Sequence, residues 1–188
     1  MQRFDALQTI YSDLERDIVV TIMGAAAAEL YSLGHRENFF YLQHAMGLAS
    51  SMGLGLALSR PEKRVVVFDG DGSLLMNLGS LSTLAWYAPK NMIHVVFDNQ
   101  SLLSVGGFPT ATSAHSDLAG IAEKSGIKRA TTTRTIEEFT AAWRAAREGN
   151  ELAFIVAKVE AVGPKTFLMD LPLLENRFQF QRWLKTQE

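Results

Sequence analysis

The 188-residue sequence contains no cysteine. A disulfide framework, a CxxC redox centre and a thiolate zinc site are therefore excluded. Only five prolines occur, with no proline-rich or low-complexity stretch that would separate two domains. Neither charge sign is in excess, with 18 Lys and Arg against 20 Asp and Glu for a net charge of −2. The chain thus lacks the basic footprint of a nucleic-acid-binding protein. No run approaches the roughly 20 apolar residues of a membrane-spanning helix. The opening MQRFDALQTIYSDLERD carries acidic residues where a secretory signal would be basic and then apolar. These absences lead to the expectation of a soluble, cytoplasmic protein without nucleic-acid or membrane partners.

What is present is a hydrophobic fraction of 47%, typical of a globular chain, and a length suited to one domain. Short β-branched runs alternate with helical stretches. Strands are predicted at Asp17–Met23, Asn38–Leu42, Arg64–Asp69, Met92–Phe97, Lys128–Thr133 and Leu152–Val159. Most are continuous apolar runs, the pattern of strands covered on both faces. Helices are predicted at Ala25–Leu33, Met46–Ser59, Ser73–Tyr87, Asp117–Ser125 and Ile136–Glu148. Thr135 and Glu138 read as a capping box, with Gly149 as a left-handed stop after that helix. Ser116 reads as the cap of a helix that Gly126 ends. Alternation of this kind implies a three-layer, doubly wound α/β domain with a mostly parallel sheet of about six strands. It spans residues 1–162. Residues 163–188 leave the rhythm as an arm and a short amphipathic helix bearing Leu174, Phe178, Trp183 and Leu184, suited to covering a sheet edge or reaching another chain.

In open parallel sheets ligands bind beyond the carboxyl ends of the strands. Two loops there stand out. Gly70-Asp71-Gly72-Ser73 follows RVVVFD and opens a helix, so two glycines allow close backbone approach to a ligand. Asp71 would repel a phosphate unless a divalent cation sat between them, an arrangement that magnesium favours. By itself this tetrapeptide is only an Asp-Gly turn. The second loop, Asp98-Asn99-Gln100-Ser101, ends the adjacent strand. There Asn99 and the carbonyl of Ser101 add neutral oxygens to a hard-cation site. Either loop alone is a polar turn; the pair is far more specific.

The stretch GDGSLLMNLGSLSTLAWYAPKNMIHVVFDNQ resembles the thiamine diphosphate motif. SLLSVGGFPTATSAHSDLAGIAEKSGI and NFFYLQHAMGLASSMGLGLAL resemble the cofactor-binding half of sulfopyruvate and phosphonopyruvate decarboxylases. The resemblance implies a thiamine diphosphate-binding fold of the PP type, with thiamine diphosphate and Mg2+ as cofactors. It implies metal ligands at Asp71, Asn99 and the main chain of Ser101. Further cofactor contacts are implied at Gly24, His44, Ala45, Met46, Gly70, Gly72, Ser73, Leu103 and Ser104. Met46 matches the apolar wedge that keeps the cofactor bent, and the His44 carbonyl matches the acceptor for its amine. The chain departs from the family pattern at Asp98, where an Asn is common, and at Ala25–Ala28, where a polar stretch is common. It departs again at His44 and Phe108.

The implied reaction is decarboxylation of a 2-oxo acid, 3-sulfopyruvate or 3-phosphonopyruvate, to the aldehyde and CO2. The family's activating glutamate lies on a pyrimidine-binding domain for which this chain has no room. The resemblance therefore implies an oligomer in which an α-type partner subunit supplies it. Glu29 and Glu37 are local acids expected on helix or surface. Gly106-Gly107 has the flexibility to aim backbone N–H groups at an anion. His44 and His115 fall in loops near the expected cofactor and are the candidates for substrate contact or proton transfer. His35 is expected in solvent and His94 as a satisfied strand residue. A carboligase of the acetolactate type and a non-catalytic phosphate- or nucleotide-binding α/β module are the alternatives.

Overall fold

A computed structural model describes residues 1–187. The chain opens with α1 (Arg3–Ile10) and a 3-10 turn (Tyr11–Arg16), then β1 (Ile18–Ile22), α2 (Ala25–Leu33) and β2 (Phe39–Leu42). It continues through α3 (Ala49–Ser59), β3 (Val65–Gly70), α4 (Asp71–Leu75), α5 (Gly79–Tyr87) and β4 (Met92–Asp98). A small hairpin, β5 (Ser101–Leu102) and β6 (Phe108–Pro109), precedes α6 (Leu118–Lys124), β7 (Arg129–Thr133), α7 (Ile136–Glu148), β8 (Ala153–Lys158) and α8 (Leu173–Lys185). Six strands form one parallel sheet in the order β2-β1-β3-β4-β8-β7. The order reverses direction around β1 and β3, which puts crossovers on both faces.

The two faces are legible from side-chain parity. Gly53 of α3 lies so close to Val67 and Met92 that a Cβ there would sit 2.2 Å from a Val67 methyl, so α3 rests directly on β3 and β4. Phe97, of opposite parity to Met92, meets Phe139 of α7 across the sheet. Helix α1 packs on α2 and α7 on that second face. Its Ala6, Leu7 and Ile10, with Leu14 beyond, form a buried helical stripe in an N-terminal stretch for which the sequence reading assigned no element. All of β1 and β4 is buried, as continuous apolar runs demand, whereas the edge strand β2 alternates buried and half-buried positions.

Several local expectations are corrected. The single helix expected at Ser73–Tyr87 is two. It starts at Asp71, breaks after Leu75 and resumes at Gly79, where the Asn77 side chain turns away to donate to the Gly47 carbonyl at 3.0 Å. Gly149 is not left-handed (φ −74°); a side chain there would strike the Arg129 guanidinium at 2.2 Å. Asp117, not Ser116, occupies the N-cap of α6, with no side-chain cap bond. The Thr135 hydroxyl does accept from the Glu138 N–H at 3.2 Å, but Glu138 reaches Arg134 N–H, one residue outside the expected box.

Helix α8 packs against β2, but on a different face from the one expected. Leu174 and Phe178 are exposed, while Asn176 and Phe180 are buried, with Trp183 and Leu184 beside them. The Asn176 amide behaves like a strand: Oδ1 accepts from Tyr41 N–H at 3.1 Å and Nδ2 donates to Phe39 C=O at 2.8 Å. Replacing Asn176 by Leu orphans both buried backbone groups. Urea denaturation should register a loss of about 2–4 kcal/mol of unfolding free energy; a change below about 0.5 kcal/mol would mean that α8 is held by its apolar face alone.

Candidate functional site

Every strand of the sheet points its carboxyl end the same way, and the loops leaving β1, β2, β3 and β4 surround a cavity of about 340 Å³. Its volume falls at the lower end of small-molecule sites. From β1 come Met23, Gly24 and Ala25–Ala27; from β2, Gln43, His44 and Met46; from β3, Asp69–Ser73; and from β4, Asn99 and Ser101–Ser104. Arg3 of α1 and Phe167 and Met169 of the C-terminal arm complete the wall.

The backbone here is shaped by special conformations. Gly24 lies at φ +81° and His44 at φ +56°, a left-handed value rare outside glycine, as the chain turns in from β2. Nothing lies within 4 Å of a Cβ added to Gly24 or Gly70, so both present bare backbone to open space. Gly72 is the reverse. A side chain there would lie 2.4 Å from a Leu102 methyl, because the β5–β6 hairpin packs directly onto the first turn of α4. The Ser73 hydroxyl accepts from Gly47 N–H at 3.0 Å, fixing the β2 loop against the β3 loop.

Asp71 is 3% exposed and Asp98 is 1% exposed. They follow register partners Gly70 and Phe97 on adjacent strands, so two carboxyl groups are buried side by side. Thr110 and Thr112 of the segment after the hairpin stand between them. Asp71 Oδ2 is 2.5 Å from Thr110 Oγ1, the two hydroxyl oxygens are 2.8 Å apart, and Thr112 Oγ1 is 2.7 Å from Asp98 Oδ1. Thr112 Oγ1 also lies 3.1 Å from Asp71 Oδ2, so two hydroxyl hydrogens serve four close oxygen pairs. Burial, and then the charge of Asp98, raise the Asp71 carboxyl above its ordinary range, against the opposing pull of the threonine hydrogen bonds. The outer Asp98 oxygen meets the Lys158 ammonium. Neither threonine nor Lys158 was singled out in the sequence, where each is an ordinary loop or strand residue.

Of the predicted site residues, Gly24, His44, Met46, Gly70, Asp71, Gly72, Ser73, Asn99, Ser101, Leu103 and Ser104 all line the cavity. Ala45 and His115 do not; His115 is exposed beyond the turn Ala111–Ser113. Asn99 Oδ1 accepts from Ser101 N–H at 3.0 Å, which holds the loop so that the Asn99 side chain and the Ser101 main chain share one wall. Gly107 N–H is already spent on the Leu102 carbonyl at 3.0 Å and is not free for an anion. Glu29 is buried rather than superficial, paired in a two-pronged bridge with Arg3 at 2.8 and 2.9 Å. Among the described residues no glutamate lines the cavity.

The other histidines also differ from expectation. His35 is half-buried, bonded to Gln179 at 2.8 Å and beside the Tyr41 hydroxyl at 3.3 Å. His94 is fully buried with neither ring nitrogen hydrogen-bonded among the described residues, and the nearest carboxylate oxygen, Asp69 Oδ2, is 3.6 Å away.

The residues suit a hard cation carrying a phosphate: one carboxylate, one amide oxygen and one carbonyl, beside glycines that leave backbone bare. No cluster of three acidic or histidine ligands exists among the described residues, so this donor set relies on oxygens supplied by the bound group. Comparison with known proteins agrees. Residues 20–157 match the family described as thiamine pyrophosphate enzyme, C-terminal TPP binding domain, and the chain belongs to that family. Sulfopyruvate decarboxylase subunit beta of Methanocaldococcus jannaschii is 38% identical over 185 residues, covering 98% of this chain and 97% of the relative. Phosphonopyruvate decarboxylase of Streptomyces viridochromogenes is 46% identical over 127 residues, 67% of this chain, and this chain spans 32% of that longer protein. Benzoylformate decarboxylase from Polynucleobacter necessarius shares the fold, with a TM-score of 0.73 at 16% identity over 88% of this chain and 34% of that one. Among the described residues no helix is long and apolar enough to cross a membrane.

A cation at Asp71 requires the carboxylate, whereas burial and Asp98 favour the protonated form. Lowering the pH through the raised Asp71 range should therefore weaken Mg2+ binding in the presence of thiamine diphosphate, by up to about tenfold per pH unit. Calorimetric titrations from neutral pH down into the ordinary carboxylate range measure this; an affinity constant throughout that range would remove Asp71 from the cation site.

Proposed function

We propose that the chain is the magnesium- and thiamine diphosphate-binding subunit of a 2-oxo acid decarboxylase acting on 3-sulfopyruvate or 3-phosphonopyruvate. The carrying observation is the convergence of Asp71, Asn99 and Ser101 on one cavity that also holds Met46. Asp71, the Asn99 side chain and the Ser101 carbonyl hold Mg2+ in this reading. Gly72 and Ser73 would take the diphosphate, with Gly24 and Gly70 giving room for close approach and Leu103 and Ser104 as further cofactor contacts. Met46, half-buried in the β2 loop, would be the apolar wedge against the cofactor, and the His44 carbonyl would accept from its amine. Thiamine diphosphate, when bound, supplies the electron sink for loss of CO2 from a 2-oxo acid.

The chain's own part is to bind, orient and exclude water. Among the described residues Arg3 is the one lysine or arginine in the cavity wall, and its guanidinium is held by Glu29 and the Val162 carbonyl, so it braces the wall rather than standing free for substrate. The His44 ring, exposed at the cavity rim, is the candidate for contact with substrate.

The reaction also needs an acid that the described cavity wall does not contain. A partner subunit with a pyrimidine-binding domain supplies that glutamate in this reading. The surface near the site supports an assembly: Phe167 of the cavity wall is exposed, and Leu48, Met76, Val105 and Phe108 are exposed apolar side chains close in sequence to wall residues. Exposed apolar groups in such number are what a second protein surface covers. His115, outside the cavity wall, has no part in the proposed chemistry. The domain division at residue 162 is retained, with the arm contributing Phe167 and Met169 to the wall.

Two measurements test the reading. Co-expressed with the partner, the chain should release CO2 from sulfopyruvate or phosphonopyruvate faster than from pyruvate, whereas the chain alone should not. Turnover by the chain alone would overturn the shared site, and acetolactate from pyruvate in place of an aldehyde would reassign the reaction to carboligation. Asp71→Ala should retain the fold by circular dichroism and lose Mg2+-dependent cofactor binding by about 100-fold or more.

A further inference from the structure

Asp98 and Lys158 are the last residues of β4 and β8 and are register partners on neighbouring parallel strands. Neither lines the cavity. Asp98 is nevertheless the innermost member of a hydrogen-bonded row that ends on Asp71, and its every oxygen is engaged. Oδ1 accepts from Thr112 at 2.7 Å and from Gln100 N–H at 3.1 Å, and Oδ2 meets Lys158 Nζ. A second anion buried beside Asp71 competes for any cation brought to it. The ammonium of Lys158, on the side of Asp98 away from Thr112, cancels that second charge without touching the cavity.

We infer that Lys158 is a positioning residue for the divalent cation: by neutralising Asp98 it keeps Thr112 and Thr110 aimed at Asp71 Oδ2 and leaves Asp71, rather than Asp98, as the carboxylate of this row offered to the metal. Geometry supports a directed device. Gln100, at φ +60°, accepts from Thr110 N–H through its carbonyl at 3.1 Å and donates from its side chain to the Thr112 carbonyl at 2.8 Å. The loop after β4 thus clamps both threonines at the height of the two carboxyl groups. Asp71 Oδ1 takes no part in the threonine row and remains for a cation. The inference rests on the assignment of Asp71 to the cation site and extends it to a strand end outside the cavity wall.

The experiment titrates Mg2+ into the full chain, with its partner subunit where the two copurify, at saturating thiamine diphosphate, and follows binding by calorimetry. Lys158→Met should raise the half-saturating Mg2+ concentration by about tenfold or more, the scale typical of residues behind a metal ligand. Asp98→Asn in the Lys158→Met background keeps the acceptor for Thr112 and Gln100 while removing the unbalanced charge, and should restore Mg2+ affinity to within about threefold of the parent. Asp98→Asn alone leaves the Lys158 ammonium without its carboxylate behind the site and should bind Mg2+ more weakly than the double variant; this comparison decides the matter if Lys158→Met fails to fold. A purely structural role for the ion pair would lower the thermal midpoint of Lys158→Met without changing its Mg2+ midpoint, and that result overturns the inference. So does a double variant that binds no better than Lys158→Met or Asp98→Asn. Absence of Mg2+-dependent cofactor binding in the parent protein would instead overturn the cation site itself, and the inference with it.

Discussion

A buried carboxylate must find hydrogen-bond donors, a counter-charge or a proton, because leaving it bare costs several kcal/mol. Strands β3 and β4 lead into two of them, Asp71 and Asp98, at neighbouring positions and almost without exposure. The surrounding structure answers that problem piece by piece. Lys158 arrives from β8, the next strand over, because parallel register brings it level with Asp98. Thr110 and Thr112 arrive from a loop that must leave the hairpin and return toward the sheet, and Gln100 ties that loop down. The arrangement of the whole carboxyl edge follows from the need to keep one of these acids available while silencing the other.

The hairpin matters for a second reason. Leu102 lies against the place where any side chain on Gly72 would project, so the hairpin and the first turn of α4 are packed as one unit. Asn99 and Ser101 reach the cavity from the start of that same hairpin. The distance between the two halves of the donor set is therefore governed by van der Waals contact rather than by flexible side chains, which suits a cation that tolerates little variation in its coordination shell.

Much of this was readable in the residues. The four inner strands β1, β3, β4 and β8 announced themselves as continuous apolar runs, because strands buried on both faces leave no room for polar alternation. The loops around Asp71 and Asn99 were legible because chemistry there requires particular residue types at the ends of adjacent strands. What escaped notice did so for identifiable reasons. Helix α1 carries its stripe in a stretch with acidic and polar residues between the apolar ones, which dilutes the helical period in the sequence. Asn176 looks like a surface amide in an amphipathic segment, and nothing local says that it will satisfy an edge strand more than 130 residues upstream. Thr110, Thr112 and Lys158 gain their meaning from partners that only the register of the sheet supplies. His94, buried and unbonded beside Asp69, has no structural explanation in the fold.

The manner in which α8 meets β2 also restricts assembly. A bare outer strand is a template that a foreign chain can extend, and many proteins recruit each other, or aggregate, by that route. Here the backbone groups of Phe39 and Tyr41 that would receive such a strand are already occupied by one amide side chain. On that flank the outer strand is already capped, which leaves helix surfaces, loop tips and the opposite edge strand β7 for recruitment of a companion.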